Sequence, residues 1–374
     1  MPLRVGADAR CLNTNFVRGM GEYLAPLATY MSAAGEIDWV FYGNRPDLPF
    51  HPPADVGTPK VTLRDIPGDR FHLWEQVALP LEALIDRVQV LHCVATTLPL
   101  WQPVPTVVTI HDTIPWDTGE FVPEGAYRDR LLPAAFRRCA KIITISEHSK
   151  MDILRLWPDL EPKVRVIRHG LNDRFLHFAA APLTPGPRKA GIKEPYLLYF
   201  GGTAERKRLG WTLSLYAALQ RTDIDLVVCG VPEAAHDRYR QSIAPELRAH
   251  VVFAPFLAAD DMPSLYQNAL AVLYPTLYEG FGFPPLNAQA AGTPAIFSNV
   301  SSLREMVGPT SIALEPDDVK AWLDACHVVI DRRMATAVPD PAAQRWAAQF
   351  DWRNSAAAHW EVYNEAAARG WRMG

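Results

Sequence analysis

Residues Ala271–Asn299 read "AVLYPTLYEGFGFPPLNAQAAGTPAIFSN". The two ends, "AVLYP" and "PAIFSN", are short and almost unbroken apolar runs, the pattern of strands buried on both faces. Between them lie a glycine turn, Gly280-Phe281-Gly282-Phe283, and a stretch of helical length that opens on Pro284 and Pro285. Proline suits a first helical turn, because the N–H groups there have no intrahelical partner. Strand, turn, helix and strand make a βαβ unit, and a βαβ unit implies a parallel sheet.

The same alternation runs outward in both directions. "LRVGAD", "WVFYG", "VQVLHC", "TVVTIHD", "KIITISE" and "KVRVIRHG" come first, and "YLLYFGG", "DLVVCG" and "HVVFAPF" follow. Between them "LHFAAAPLTPGPRKAGIKEP", Leu176–Pro195, carries neither a helical nor a strand period and reads as a boundary. The expectation is an α/β protein of two Rossmann-like, doubly wound parallel-sheet domains facing each other across a cleft. Residues 1–178 form the first domain, 179–194 a linker and 195–355 the second. The Trp-bearing helical stretch of 356–374 is expected to pack back on the first domain.

Composition narrows the function. With 374 residues, 49% of them hydrophobic and 21% charged, the chain is long enough for two cores. A net charge of −4 offers no basic field, so a nucleic-acid partner is not expected. No apolar run reaches the ~18 residues that span a bilayer, and "MPLRVGADARC" has no signal-peptide pattern; a cytoplasmic protein is expected. Cys11, Cys93, Cys139, Cys229 and Cys326 are scattered without CxxC spacing and read as small buried apolar residues.

In an open parallel sheet, ligands bind at the carboxyl ends of strands, where Glu279 and its turn lie. The glycines let backbone approach a ligand, and a helix N-terminus favours an anion such as phosphate. A carboxylate there would repel phosphate unless it accepts hydrogen bonds from attached hydroxyls, so the pairing suggests a sugar phosphate. A Glu capping a tight turn is the alternative. After the strand "YLLYF" come Gly201, Gly202 and the cations Arg206, Lys207 and Arg208, which could neutralise a diphosphate; a solvated basic cluster is the alternative. A dinucleotide site is excluded because no GxGxxG follows the strand. Asp223 and Asp225 form a DxD, but one that opens a buried strand, so no metal site is expected.

"DARCLNTNFVRGMGEYL", "VVTIHDTIPW", "ITISEHSKMDIL", "YLLYFGGTAERK" and the stretch "LYQNALAVLYPTLYEGFGFPPLNAQAAGTPAIFSNVSSLREMVG" together resemble the retaining glycosyltransferases of family 4, of GT-B fold, over essentially the whole chain. Bacterial polysaccharide mannosyl- and rhamnosyltransferases are the nearest in flavour. The resemblance implies transfer of a hexose from a nucleoside-diphosphate sugar to a saccharide acceptor. Mannose from GDP-mannose is the best match, with rhamnose or another hexose from a dTDP-, UDP- or ADP-sugar as the alternative. It implies no cofactor and no metal, a lipid-linked acceptor, and peripheral association with the inner membrane. Residue by residue, Glu279 would contact the donor sugar, Arg206 and Lys207 the diphosphate, and His111 the transferred sugar. Gly19, Gly21, Gly202, Gly280, Phe281, Gly282 and Phe283 would line the donor, and Asp112 would orient His111 or bind acceptor. Where the family's E-x7-E motif has its second Glu, against the ribose, this chain has Asn287, which accepts through a carbonyl but carries no charge. A sugar-nucleotide-binding protein with impaired catalysis is the reading that substitution would favour. The basic stretch Tyr127–Lys141 reads either as a membrane contact or as a solvated helix face, Trp101 and Trp116 as acceptor platforms or packing residues, and His92 as a structural or a site histidine.

Overall fold

All eleven apolar runs form strands, and each interior strand is buried along almost its full length because its side chains meet helices on both faces. The computed structural model describes residues 2–15, 17, 19–33, 37–51, 61–69, 73–118, 125–176, 182–336, 338–368 and 370. It divides into two compact units, Met1–Gly170 with Phe350–Gly374, and Leu171–Gln349.

The first unit runs β1 (Leu3–Asp8), α1 (Gly21–Ala33), β2 (Ile37–Gly43) and β3 (Val61–Asp65). A π-helical turn at Trp74–Ala78 then continues as α2 (Leu79–Ile85), before β4 (Val90–Cys93), β5 (Thr106–Ile110) and α3 (Ile114–Asp117). A second π-helical turn, Tyr127–Leu131, leads into α4 (Leu132–Arg138), followed by β6 (Lys141–Thr144), α5 (Glu147–Leu156) and β7 (Val164–Val166). Its seven strands are parallel in the order β3-β2-β1-β4-β5-β6-β7.

The second unit runs α6 (Asp173–Leu176), α7 (Pro185–Lys189), β8 (Tyr196–Phe200), α8 (Leu209–Ala218), β9 (Asp225–Cys229), α9 (Glu233–Gln241), β10 (Val251–Phe253) and α10 (Met262–Gln267). It is completed by β11 (Ala271–Tyr274), α11 (Phe283–Ala290), β12 (Ala295–Ser298), β13 (Ser311–Leu314), α12 (Val319–Ala335) and α13 (Pro341–Ala347). Its six strands are parallel in the order β10-β9-β8-β11-β12-β13. Helix α14 (Trp352–Ala367) then returns to the first unit.

In each sheet the strand order reverses once, between β1 and β4 and between β8 and β11. Loops leaving those two neighbours diverge to opposite faces and open a crevice at their carboxyl ends. Arg206 and Lys207 follow β8, and Glu279 follows β11, so the sheet brings residues some seventy positions apart to one point.

Several boundaries differ from expectation. Of the expected linker 179–194, residues 179–181 lie outside the described residues. The remainder holds α7, anchored in the second unit by buried Leu183, Pro187 and Ile192 and by the Thr184 hydroxyl on Asp261. The chain re-enters the first unit at Phe350, because Trp352 and Ala356, with Val362, Tyr363 and Ala366, belong to the core that α1 also covers. Residue 369 and residues 371–374 of the expected return segment lie outside the described residues. Strands β3 and β13 were not expected; both are sheet edges, and neither is an unbroken buried run.

Candidate functional site

The turn after β11 and the turn after β8 are stitched together through backbone. Leu277 N–H donates to the Arg206 carbonyl at 2.8 Å, and the Tyr199 hydroxyl, from β8, donates to the Lys207 carbonyl at 3.0 Å. On that frame three donors converge on one carboxylate oxygen. Glu279 Oε1 accepts from Lys207 Nζ at 2.5 Å, from the Thr276 hydroxyl at 2.8 Å and from Arg206 Nη1 at 3.1 Å. Lys207 also donates to the Tyr274 hydroxyl at 2.8 Å and lies 5.1 Å from that ring's centre. Burial, then the Glu279 charge, pushes the Tyr274 phenol well up, so it stays protonated. The Glu279 N–H is held by Ser301 Oγ at 2.9 Å, and the Ser302 hydroxyl lies 2.8 Å from the carbonyls of both Glu279 and Phe281.

The triad of Arg206, Lys207 and Glu279 keeps side-chain exposures of 14%, 16% and 13%. It is therefore sheltered yet reachable, and two cations against one carboxylate leave it net positive. Helix α11 starts four residues beyond Glu279 at Phe283, and its cap is Gly282, whose φ of +122° a side chain would not tolerate. A Cβ there would also stand 2.7 Å from Leu303. Pro284 and Pro285 occupy the first turn, as the sequence implies, and Phe281 and Phe283 pack edge to face at 5.0 Å. Asn287 lies on α11, partly buried, its side chain hydrogen-bonded to the buried Tyr266. Gly202 and Gly280 are in the two turns. Arg208, the third cation of the run, leaves the group: its φ of +57° turns it to Asp317, at 2.6 Å, and onto Trp211. Asp223 and Asp225 sit where β9 begins, at the amino end of the sheet, and bond Arg221 and His250.

The first unit assembles a second polar centre. His111 follows β5, and its Nε2 lies 2.8 Å from the Val94 carbonyl. A carbonyl can only accept, so Nε2 carries the proton and Nδ1 is left as an acceptor. Burial pushes its pKa down to about 4, so it is neutral near pH 7. The Tyr23 ring, from α1, packs against His111 at 5.3 Å and against His169 at 4.8 Å.

The Tyr23 hydroxyl belongs to a fully buried chain of hydrogen bonds whose direction is fixed by its last acceptor. The Ser355 carbonyl, 2.7 Å from His359 Nδ1, requires a proton on that nitrogen, so Nε2 accepts from Tyr23 at 2.7 Å. Tyr23 then accepts from Thr109 at 3.0 Å, Thr109 from His92 Nε2 at 2.8 Å, and His92 Nδ1 from Tyr363 at 2.7 Å. The chain ties α1 and α14 across the ends of β4 and β5. Burial pushes His359 down to about 4 and His92 and His169 well below their usual value, so all act as neutral rings. His92, buried and bonded through both nitrogens, takes the structural reading.

At the reversal between β1 and β4, Glu75 is fully buried. It accepts from Arg10 at 2.8 Å, from Thr97 at 2.5 Å and from the Tyr127 hydroxyl, while Arg10 also grips Asp8 at 2.6 Å and stacks on Trp74 at 4.4 Å. Burial pushes the Glu75 carboxyl up, and Arg10 and the two hydroxyls oppose it. Gly19 has φ +48° with open space around it, whereas a Cβ on Gly21 would stand 2.6 Å from Val17. Asp112 accepts from the Ile114 N–H at 3.0 Å at the start of α3. Trp116 packs between Phe136 and Trp157, which favours packing over acceptor stacking, while Trp101 remains 45% exposed.

Thr276, Tyr274, Ser301 and Ser302, and Tyr23, Thr109 and His359, were not singled out in the sequence. The first two flank Glu279 in the quoted stretch and could have been found there. The others reach their partners only through the fold.

Two family descriptions match the chain: Glycosyltransferase Family 4 over residues 17–175, and Glycosyl transferases group 1 over residues 187–346. It is 28% identical to O-antigen chain mannosyltransferase B of Escherichia coli over 261 residues, 66% of this chain and 67% of that protein. It is 26% identical to O-antigen chain mannosyltransferase RfbU of Salmonella typhimurium, over 58% of this chain and 59% of that one. A sucrose-phosphate synthase from Thermosynechococcus elongatus superposes with a TM-score of 0.72 at 21% identity, covering 99% of this chain and 100% of the other.

Proposed function

The chain belongs, by its two matched halves, to the glycosyltransferases of family 4 and group 1, and from that premise we propose that it moves a hexose, mannose from GDP-mannose, with retention and without a metal, onto a saccharide acceptor that is lipid-linked. The observation that carries this reading is the Arg206, Lys207 and Glu279 triad on the turns after β8 and β11. Departure of a nucleoside diphosphate from an anomeric carbon builds negative charge on the outer phosphate, and preset cations beside a helix N-terminus stabilise that charge. In this reading Lys207 and Arg206 hold the diphosphate and supply the compensation that a divalent ion gives elsewhere, while Glu279 accepts from sugar hydroxyls. Gly202 and the Gly280–Phe283 turn admit the phosphates, and Asn287 faces the ribose. In the first unit His111, with Nδ1 free of a proton, accepts from a substrate hydroxyl; Gly19, Gly21 and Asp112 border the same side.

The mannosyltransferase names of the two bacterial relatives support mannose. The test is incubation with GDP-mannose, dTDP-rhamnose and UDP-glucose, each with a lipid-linked saccharide extract and EDTA. Mannosylated product whose anomeric coupling matches that of the donor is expected. Inverted product, or transfer that stops in EDTA, would overturn the mechanism, and transfer from another donor alone would overturn the choice of mannose.

A further inference from the structure

On the helical segment from Leu73 through the π turn to Ile85, the residues facing solvent are Leu73, Val77, Leu81 and Ile85, exposed by 71%, 52%, 42% and 60%. Every residue of that segment exposed to this degree is aliphatic, and the four recur every fourth position. A surface helix ordinarily turns charged residues to water and keeps its apolar stripe for the core. Here the core stripe is present as well, in Trp74, Leu79 and Ala83, so the outer stripe is surplus to folding. The π turn keeps it in line, since its wider turn slows the sideways drift that a four-residue spacing suffers on a pure α-helix.

The surroundings define what covers the stripe. Gln76 is bonded to the Leu98 carbonyl and the Leu100 N–H, and Arg138 reaches the Leu100 carbonyl, so exposed Trp101 and Arg138 border the stripe. Glu75, on the core side, is bonded to Tyr127, which sets the Tyr127–Leu131 turn, with Arg130 and Leu131 exposed on it, alongside the segment. Of the basic run Tyr127–Lys141, Arg137 is paired with Asp159, Lys141 is buried on Glu365, and Arg128 is paired with Asp129. Arg130 and Arg138 have no carboxylate partner among the described residues, and Arg87 is exposed just past the helix.

We propose that this face, Leu73, Val77, Leu81 and Ile85 with Trp101 and the cations Arg130 and Arg138, docks on an anionic lipid surface. Aliphatic side chains in the acyl boundary, a tryptophan at headgroup depth and arginines toward lipid phosphates make the composition of an interfacial helix. A second copy fits worse, because a two-fold contact would set the stripe on itself and bring the arginines of both copies together. The inference does not rest on the donor or the reaction, and its test needs neither.

The full chain is sedimented with vesicles of phosphatidylglycerol and phosphatidylethanolamine and with vesicles of phosphatidylcholine alone. Binding to the anionic vesicles, weakened by salt, and little binding to the others are expected. The variant Leu73→Ser/Val77→Ser/Leu81→Ser should bind roughly 100-fold less, about fivefold for each half-buried aliphatic side chain, with its melting temperature unchanged. Arg130→Ala/Arg138→Ala should lose about 30-fold on anionic vesicles only. Serine variants that bind as the native chain does would overturn the proposal. So would absence of vesicle binding together with a concentration-dependent dimer that the serine variant abolishes, which would assign the face to a second copy.

Discussion

Lys207 and Arg206 share Glu279 Oε1, but only Lys207 also holds the Tyr274 hydroxyl. Removing one cation leaves the carboxylate with the other and with Thr276, so the fold should bear the loss. Lys207→Ala is expected to lower kcat by about 10²–10³, the scale for removing one preset charge-stabilising group, while shifting the melting temperature little. Steady-state kinetics beside a thermal melt checks this, and a collapse of both would mean that Lys207 is structural. Tyr23→Phe makes the opposite contrast. It removes the one hydroxyl between Thr109 and His359 and leaves a buried ring nitrogen without its donor. A loss of about 1–3 kcal/mol is expected in denaturant unfolding, with nucleotide binding to the second unit unchanged.

At the scale of elements, the turn that launches α11 is the sharpest commitment. Gly282→Ala imposes a side chain at φ +122° and against Leu303, so it should cost about 1–3 kcal/mol and weaken nucleotide binding at least tenfold, read by calorimetric titration; native affinity would show that the α11 N-terminus does not meet the ligand. This turn was legible in advance, since Gly280, Gly282, Pro284 and Pro285 are local chemistry. So were the interior strands, because burial on both faces leaves unbroken apolar runs. Edge strands β3 and β13 were not, as one open side relaxes that demand: Leu63 and Arg64 stand exposed in β3. The expected end of the second domain at residue 355 differs for a related reason. Trp352 looked like part of the second domain by position, yet its ring is buried in the first unit's core, a fact that only long-range packing decides. Glu279, Arg206 and Lys207 were readable because each lies on the turn after a strand that the topology places at the reversal. The Tyr23, Thr109 and His359 chain was not, since Tyr23 and His359 lie 336 positions apart.

For the whole molecule, the four histidines whose pKa values burial depresses, His92, His111, His169 and His359, all lie in the first unit. Their folded pKa values are depressed, to about 4 for His111 and His359. The unfolded chain, with histidines near 6.5, therefore binds more protons below that pH, and stability falls as pH drops from about 6.5 to about 4. Calorimetry is expected to show the first unit's transition moving down steeply over that window while the second unit's moves less; parallel loss in both would contradict the assignment. In the proposed function the second unit binds a nucleoside diphosphate through Arg206, Lys207 and Glu279 without a metal. Its most direct test is the melting temperature with GDP, UDP, dTDP or ADP in EDTA, since a ligand at a hundred times its Kd stabilises by about 2.7 kcal/mol. We expect GDP to raise the native chain's melting temperature and to lose at least tenfold in affinity for Arg206→Ala/Lys207→Ala; no shift with any nucleotide, or equal affinity in the double variant, would contradict the account.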